Sequence, residues 1–198
     1  MASVEPLKLE NLVELRSLIE QIGSAMGFVP NSLLTMARRP DIARAFTQLA
    51  GTVLGPGAVA PQLKQLVAHV ASTAAGCRYC QAHTASGAAR MGVAPGKIEA
   101  AWQFENDDRF TSSEKAALRL ARDASVVPNA TTSEHSAQLR AHFTDEQIVE
   151  LVATISLFGW LNRWNDTMAT TLEEEPLKFA ARHLASSGWR AGKHRAGG

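Results

Sequence analysis

The chain carries two cysteines, and they stand three positions apart in Cys77-Arg78-Tyr79-Cys80. A disulfide between them closes almost no loop, so it hardly restrains the unfolded chain. Stability is therefore a poor reason for the pair, and redox exchange or metal binding is a better one. Gly76 directly precedes Cys77 and suits the left-handed end of a helix over 61–75. A new helix opening at the motif then has Cys77 at its start and Cys80 in its first turn. There the free backbone N–H groups and the positive end of the helix dipole favour thiolate over thiol. A thiolate attacks a peroxide O–O bond and becomes a sulfenic acid. A thiol one turn away condenses with it to a disulfide and water, and a dithiol partner reopens the disulfide by exchange. Inert buried thiols and half of a zinc site stay open as other uses. Zinc would need two more ligands from His69, His83, His135 or His142, and no second CxxC or HxxxH completes a recognised pattern.

The elements that must position this motif read as helices throughout. β-branched alternating runs are nearly absent, whereas capping boxes stand at Thr111/Glu114, Thr131/Glu134 and Thr144/Gln147. Pro61 and Pro95 suit first-turn positions, and Gly-Pro-Gly at 55–57 and Val-Pro-Asn at 127–129 read as breaks. The pattern predicts helices near 8–22, 31–38, 40–54, 61–75, 77–91, 95–105, 112–124, 132–141, 145–170 and 174–186. Leu63, Leu66, Val67, Val70 and Ala74 form one apolar stripe; Ile148, Leu151, Val152, Ile155 and Phe158 form another. We expect an all-α protein divided into an N-terminal helical arm (1–55), a core (56–186) and a flexible basic tail (187–198).

A chain of 198 residues can bury a core without staples. Its net charge of +1 argues against a dedicated nucleic-acid binder. No apolar run approaches the length of a membrane span, and the opening MASVEPLKLE lacks a signal-peptide pattern, so the default expectation is cytoplasmic. No glycine-rich phosphate loop, nucleotide fingerprint or serine elbow is present, and no bound cofactor or metal is expected.

Ala75-Gly76-Cys77-Arg78-Tyr79-Cys80-Gln81-Ala82-His83 resembles the CxYC-plus-histidine signature of the alkylhydroperoxidase-D-like/carboxymuconolactone decarboxylase family. Met26-Gly27-Phe28-Val29-Pro30-Asn31 resembles the GxVPN entry of its longer, peroxidase-related members, and Asp145 through Arg163 resembles the final core helix. The resemblance implies an all-α fold, homo-oligomers (trimers or hexamers), and hydroperoxide reduction fed by a dithiol protein. It implies that Cys80 attacks and Cys77 resolves. Two positions depart from the pattern. The glutamate of the usual proton relay is replaced by Gln65, which is no base near neutral pH. The usual histidine position holds Thr84, with His83 just before it, still one turn from Cys80.

His69 is a candidate replacement base, on the polar stripe Gln65, His69, Ser72 and Thr73. In one straight helix it would lie about 16 Å from Cys80 along the axis, so this role needs a turn at Gly76; otherwise the stripe faces solvent or a neighbouring subunit. Asn162, Arg163, Asn165 and Asp166 form a polar cluster best read as structural or intersubunit, Tyr79 as packing, and Glu150 as an unplaced carboxylate. The leading expectation is a thiol-dependent peroxidase or disulfide oxidoreductase. The alternatives are a non-redox decarboxylase or isomerase and a non-enzymatic redox-sensing helical oligomer.

Overall fold

The computed structural model describes residues 2–12 and 14–196. Among them stand ten α-helices, several short 3-10 turns and no strand. The helices are α1 (Arg16–Met26), α2 (Asn31–Met36), α3 (Pro40–Leu54), α4 (Pro61–Ala74), α5 (Arg78–Arg90), α6 (Pro95–Glu99), α7 (Ser112–Ala124), α8 (Ser133–Arg140), α9 (Asp145–Met168) and α10 (Glu174–His183). The all-α expectation holds. The expected helix at 8–22 is instead a 3-10 turn at Leu9–Asn11 followed by α1, and that at 95–105 divides into α6 and a 3-10 stretch.

The central helix is α4, which packs on α5, α7 and α9. Pro61 opens it at its first position, where a missing N–H costs nothing. Leu66, Val67, Val70 and Ala71 fill the core, yet its polar stripe is covered too: His69 and Ser72 are buried. That stripe faces α5, not solvent. Gly76 takes φ 77°, and α5 folds back along α4 from there. The approach is close enough that a Cβ on Gly87 would lie 2.8 Å from Gln65 Oε1.

Thr111 and Thr144 cap α7 and α9 through the expected reciprocal boxes. The third box is shifted by one residue. Thr132, not Thr131, caps α8, and His135 serves in place of Glu134. His135 Nδ1 accepts the Thr132 N–H at 3.1 Å while its Nε2 lies 2.9 Å from Asp123, a tertiary partner that local pattern does not show.

The first three helices carry a second apolar cluster, including Leu15, Ile19, Leu33, Met36 and Ala43, and Leu161 of α9 packs against both clusters. Lys64 ties the α3–α4 loop to the core. Its ammonium, 1% exposed, donates to the carbonyls of Val53 and Gly55 at 2.9 and 2.8 Å and pairs with Glu150. Glu150 also accepts the N–H groups of Ala58 and Val59. It is therefore placed as a structural anion. The C-terminal segment is not a loose tail. Trp189 and His194 are buried, and residues 185–194 form two short turns against the body of the protein.

Removing one partner of a buried pair leaves the other charge uncompensated. Lys64→Ala should therefore lower unfolding free energy by about 3 kcal/mol in urea titrations. Substitution of the exposed Lys178, whose partner Glu174 is also exposed, should leave it unchanged, since water screens such a pair.

Candidate active site

Cys77 is the N-cap of α5, and its sulfur accepts the Cys80 N–H at 3.5 Å. The helix therefore opens at the motif. Burial is deeper than the motif suggests: Cys77 is 0% and Cys80 2% exposed. The two thiols differ sharply. The Cys77 thiol is pulled below its usual value, chiefly by its hydrogen bond with Cys80, with the α5 N–H groups adding to the effect. Burial pushes the Cys80 thiol well up, and its contact with Cys77 adds to that, while the Asn165 amide N–H, 3.4 Å from its sulfur, works the other way. The expectation that the helix start favours thiolate at both positions thus fails at Cys80, where desolvation wins.

Cys80 lines a cavity of about 430 Å³ whose other walls are mostly apolar. Ile22 and Met26 of α1, Leu33 of α2, Phe46 and Leu54 of α3, and Phe158 and Leu161 of α9 contribute to it. The first three helices therefore build the outer wall over the thiol. Polar groups reach the cavity from His83, Thr84, Gln65 and Asn165.

His83 is held by a carboxylate far along the chain. Its Nε2 lies 2.6 Å from Glu173, and the Tyr79 hydroxyl donates to the same carboxylate at 2.8 Å. The Asn31 N–H donates to it as well, so the Val-Pro-Asn entry and the α9–α10 loop meet at one anion. Tyr79 and His83 stack with ring centroids 4.3 Å apart. Burial alone would raise the Glu173 pKa, but the His83 charge and the donated hydrogen bonds bring it below the usual carboxylate value. Burial and the same carboxylate push the Tyr79 hydroxyl well up, so it stays a donor.

Comparison with known proteins gives the site a context. Residues 40–123 match the model of the carboxymuconolactone decarboxylase family. The solved structure of the debrominase Bmp8 is similar at a TM-score of 0.84 and 33% identity, covering 90% of this chain and 96% of that one. The chain belongs to the carboxymuconolactone decarboxylase family. A cysteine-to-alanine variant of Bmp8, in complex with 2,3,4-tribromopyrrole, gives 0.85 and 32% over the same shares. An uncharacterized peroxidase-related protein from Ralstonia eutropha JMP134, described as an alkylhydroperoxidase AhpD core, shares the fold at 0.80 and 24% identity, covering 90% of this chain and 95% of that one. The uncharacterized protein YdfG of Bacillus subtilis (strain 168) is 31% identical over 91 residues, which is 46% of this chain and 60% of YdfG.

In this member of the carboxymuconolactone decarboxylase family, Cys77, Cys80, His83 and Gln65 of the expected site stand together, and His69 stands apart. His69 does not line the cavity. Its Nδ1 lies 3.0 Å from the Thr84 hydroxyl, which itself donates to the Cys80 carbonyl. Burial holds the ring down to about 4, so it is neutral and a weak base. Its stripe faces α5, and its contact buttresses the Cys80 backbone. Asn165, expected as part of a structural polar cluster, and Glu173 reach the motif from 85 and 94 residues away, where no local pattern shows the contact. Glu173 is one of three consecutive glutamates, and nothing local separates it from the other two.

Because the folded Glu173 pKa is depressed, the native state binds fewer protons than the unfolded chain as pH falls. Its contribution is present above the ordinary glutamate value and is lost as pH drops through the folded value. Glu173→Gln should cost about 2 kcal/mol at pH 7 and flatten the acid limb of the stability profile. Thermal melts from pH 3 to 7 that keep the wild-type slope would show that this carboxylate is not the group responsible.

Proposed function

We propose that the chain reduces apolar organic hydroperoxides through a two-cysteine cycle. The observation that carries this reading is that Cys80 lines the apolar cavity while Cys77 stands behind it at the helix cap. Cys80 attacks the O–O bond as its proton passes to the Cys77 sulfur. Cys80 becomes a sulfenic acid and the alkoxide takes a proton from His83, which Glu173 orients. Cys77 then attacks the sulfenic sulfur, water leaves, and a dithiol protein reopens the disulfide. The cavity gives an apolar substrate a place to bind before any charge forms. A small polar peroxide gains little from such walls.

A second reading is favoured by the likeness to Bmp8 and by the flat halogenated ring in its variant's complex. In that reading the Cys80 sulfur takes a halogen from an aromatic carbon, His83 supplies the proton to that carbon, and Cys77 displaces halide. Both reactions end in the same disulfide and consume the same two electrons.

Initial rates with dithiothreitol decide between them. Cumene hydroperoxide should exceed hydrogen peroxide by about tenfold or more in kcat/KM, in line with apolar burial. Cys80→Ser should abolish turnover, and Cys77→Ser, which lacks the proton acceptor, should react more slowly and stop after one turnover with a sulfenic acid that dimedone traps. Bromide release from a bromopyrrole without hydroperoxide turnover would establish the second reading, and failure of every substrate would reject both. Gln65→Glu, placing a carboxylate in the cavity wall, should raise turnover by about tenfold, less than a tuned general base supplies.

We also propose a homo-oligomer, trimer or hexamer. The outer face of α9 exposes Val149, Val152 and Trp160, and Trp160 stacks on Trp164 and Phe46. Light scattering at micromolar concentration should give a multiple of 21.3 kDa; a monomer mass rejects the assembly.

A further inference from the structure

The chain after α10 returns to the cysteines. The Trp189 indole N–H donates to the Arg78 carbonyl at 3.2 Å, inside the motif itself, and the His194 carbonyl accepts the Leu172 N–H at 2.8 Å. These anchors place the His194 ring, 1% exposed, beside Cys77 and Asp166. The Cys77 sulfur, an Asp166 carboxylate oxygen and a His194 ring nitrogen lie within 4.8 Å of one another.

His194 Nδ1 lies 2.8 Å from the Thr170 carbonyl. A carbonyl only accepts, so Nδ1 carries the proton and Nε2 the lone pair of the neutral ring. That Nε2 is buried without a hydrogen-bond partner; Asp166 Oδ1 stands off at 3.6 Å. A buried acceptor without a donor is a costly arrangement, and the group beside it that gains a proton when Cys80 attacks is Cys77. Other charged or titratable neighbours are Asp166, Lys193 and the Tyr79 ring, 6.0 Å away. Burial keeps the ring below the ordinary imidazole range, and hence neutral. The Lys193 ammonium holds Asp166 at 2.9 Å, so the cluster already contains its cation and is poorly suited to a metal.

We propose that His194 Nε2 is the base that takes the Cys77 proton as the disulfide closes and returns it as the disulfide opens. This rests on the two-cysteine reading. When Cys80 attacks, its proton passes to Cys77, so Cys77 is a neutral thiol just when it must become the nucleophile. His194 removes that proton. The Cys77 thiolate attacks the sulfenic sulfur of Cys80; the S–S bond forms and the S–O bond breaks. The departing hydroxide takes the imidazolium proton and leaves as water. On reduction an external dithiol attacks the Cys80 sulfur, and His194 relays the incoming thiol's proton to the departing Cys77. Asp166 stabilises the imidazolium while it exists.

Diamide oxidises adjacent dithiols whatever the physiological substrate, so it tests this step separately. Disulfide closure under saturating diamide and reopening by dithiothreitol are followed from pH 5 to 10. His194→Asn should slow closure about 100-fold at pH 7, the scale of a positioned base. The two profiles should converge near pH 10, where hydroxide removes the Cys77 proton unaided. Superimposed profiles overturn the proposal, and so does equal slowing at every pH, which marks a structural role. If His194→Asn does not fold, the half-exposed Asp166→Asn carries the test, with slower closure at neutral pH and convergence in base. Absence of any disulfide with diamide overturns both this proposal and the two-cysteine reading. His194-dependent closure without turnover of hydroperoxide or halide overturns the proposed substrates and leaves the base in place.

Discussion

Gly76 takes φ 77°, a conformation that residues with a Cβ rarely adopt, and it reverses the chain between α4 and α5. Three contacts record the reversal: the Gln81 amide N–H donates to the Ser72 carbonyl, Thr84 meets His69, and Gly87 meets Gln65. The paired numbers rise on one side and fall on the other, so the helices run antiparallel. This hairpin starts α5 at Cys77 with its first N–H groups turned to the Cys77 sulfur, and it aims Cys80 into the cavity. A residue with a Cβ at position 76 would meet no neighbour; the constraint there is the backbone angle alone. At position 87 the constraint is space. The two glycines thus set separate properties of one hairpin, its reversal and its closeness.

A hairpin alone would leave Cys80 open to water. The first three helices close over it, and a buried anion helps join them to the rest. Glu173 accepts from Asn31 at the start of α2, from Tyr79 and from His83. Burying a carboxylate is expensive unless every lone pair is used, so these partners must be in place together. The cavity wall, the histidine orientation and the α9–α10 loop are therefore coupled through one side chain. Lys64 acts similarly at the other end of the arm's connection, gathering two carbonyls and Glu150.

What could be read in the sequence is what depends on neighbours in the chain. Gly76, Pro61, the Thr111 and Thr144 caps and the thiol spacing each act within a turn or two, and each predicts its element. Thr132 displaced Thr131 as a cap because His135 found Asp123, a tertiary contact. Glu173, His194 and the thiol contact of Asn165 escaped for the same reason: their partners lie on other parts of the fold, and their residue types are common. The end of the chain read as a loose basic tail because it has no helical periodicity, yet Trp189 and His194 fix it through two buried contacts. The polar stripe of α4 left a solvent or interface reading open beside the turn at Gly76, because helical polar stripes usually face water; it is covered because a second polar stripe faces it.

The two cysteines have one chemistry and two environments, and the difference gives the pair a direction. Cys80 faces apolar walls, where a resting thiolate would be costly. Cys77 faces the α5 N–H groups, which stabilise negative charge. The first negative charge of the reduced pair therefore sits on Cys77, outside the cavity. An apolar ligand can enter without displacing solvent from an anion, and charge moves to Cys80 only as the Cys80 proton crosses to its neighbour. The cost of that transfer is smallest when the new charge leaves at once onto a departing group. An electrophile whose leaving atom departs as an anion meets that condition; a ligand that only binds does not. Selectivity in the proposed cycle thus comes from where the proton rests before the reaction, as much as from the shape of the walls.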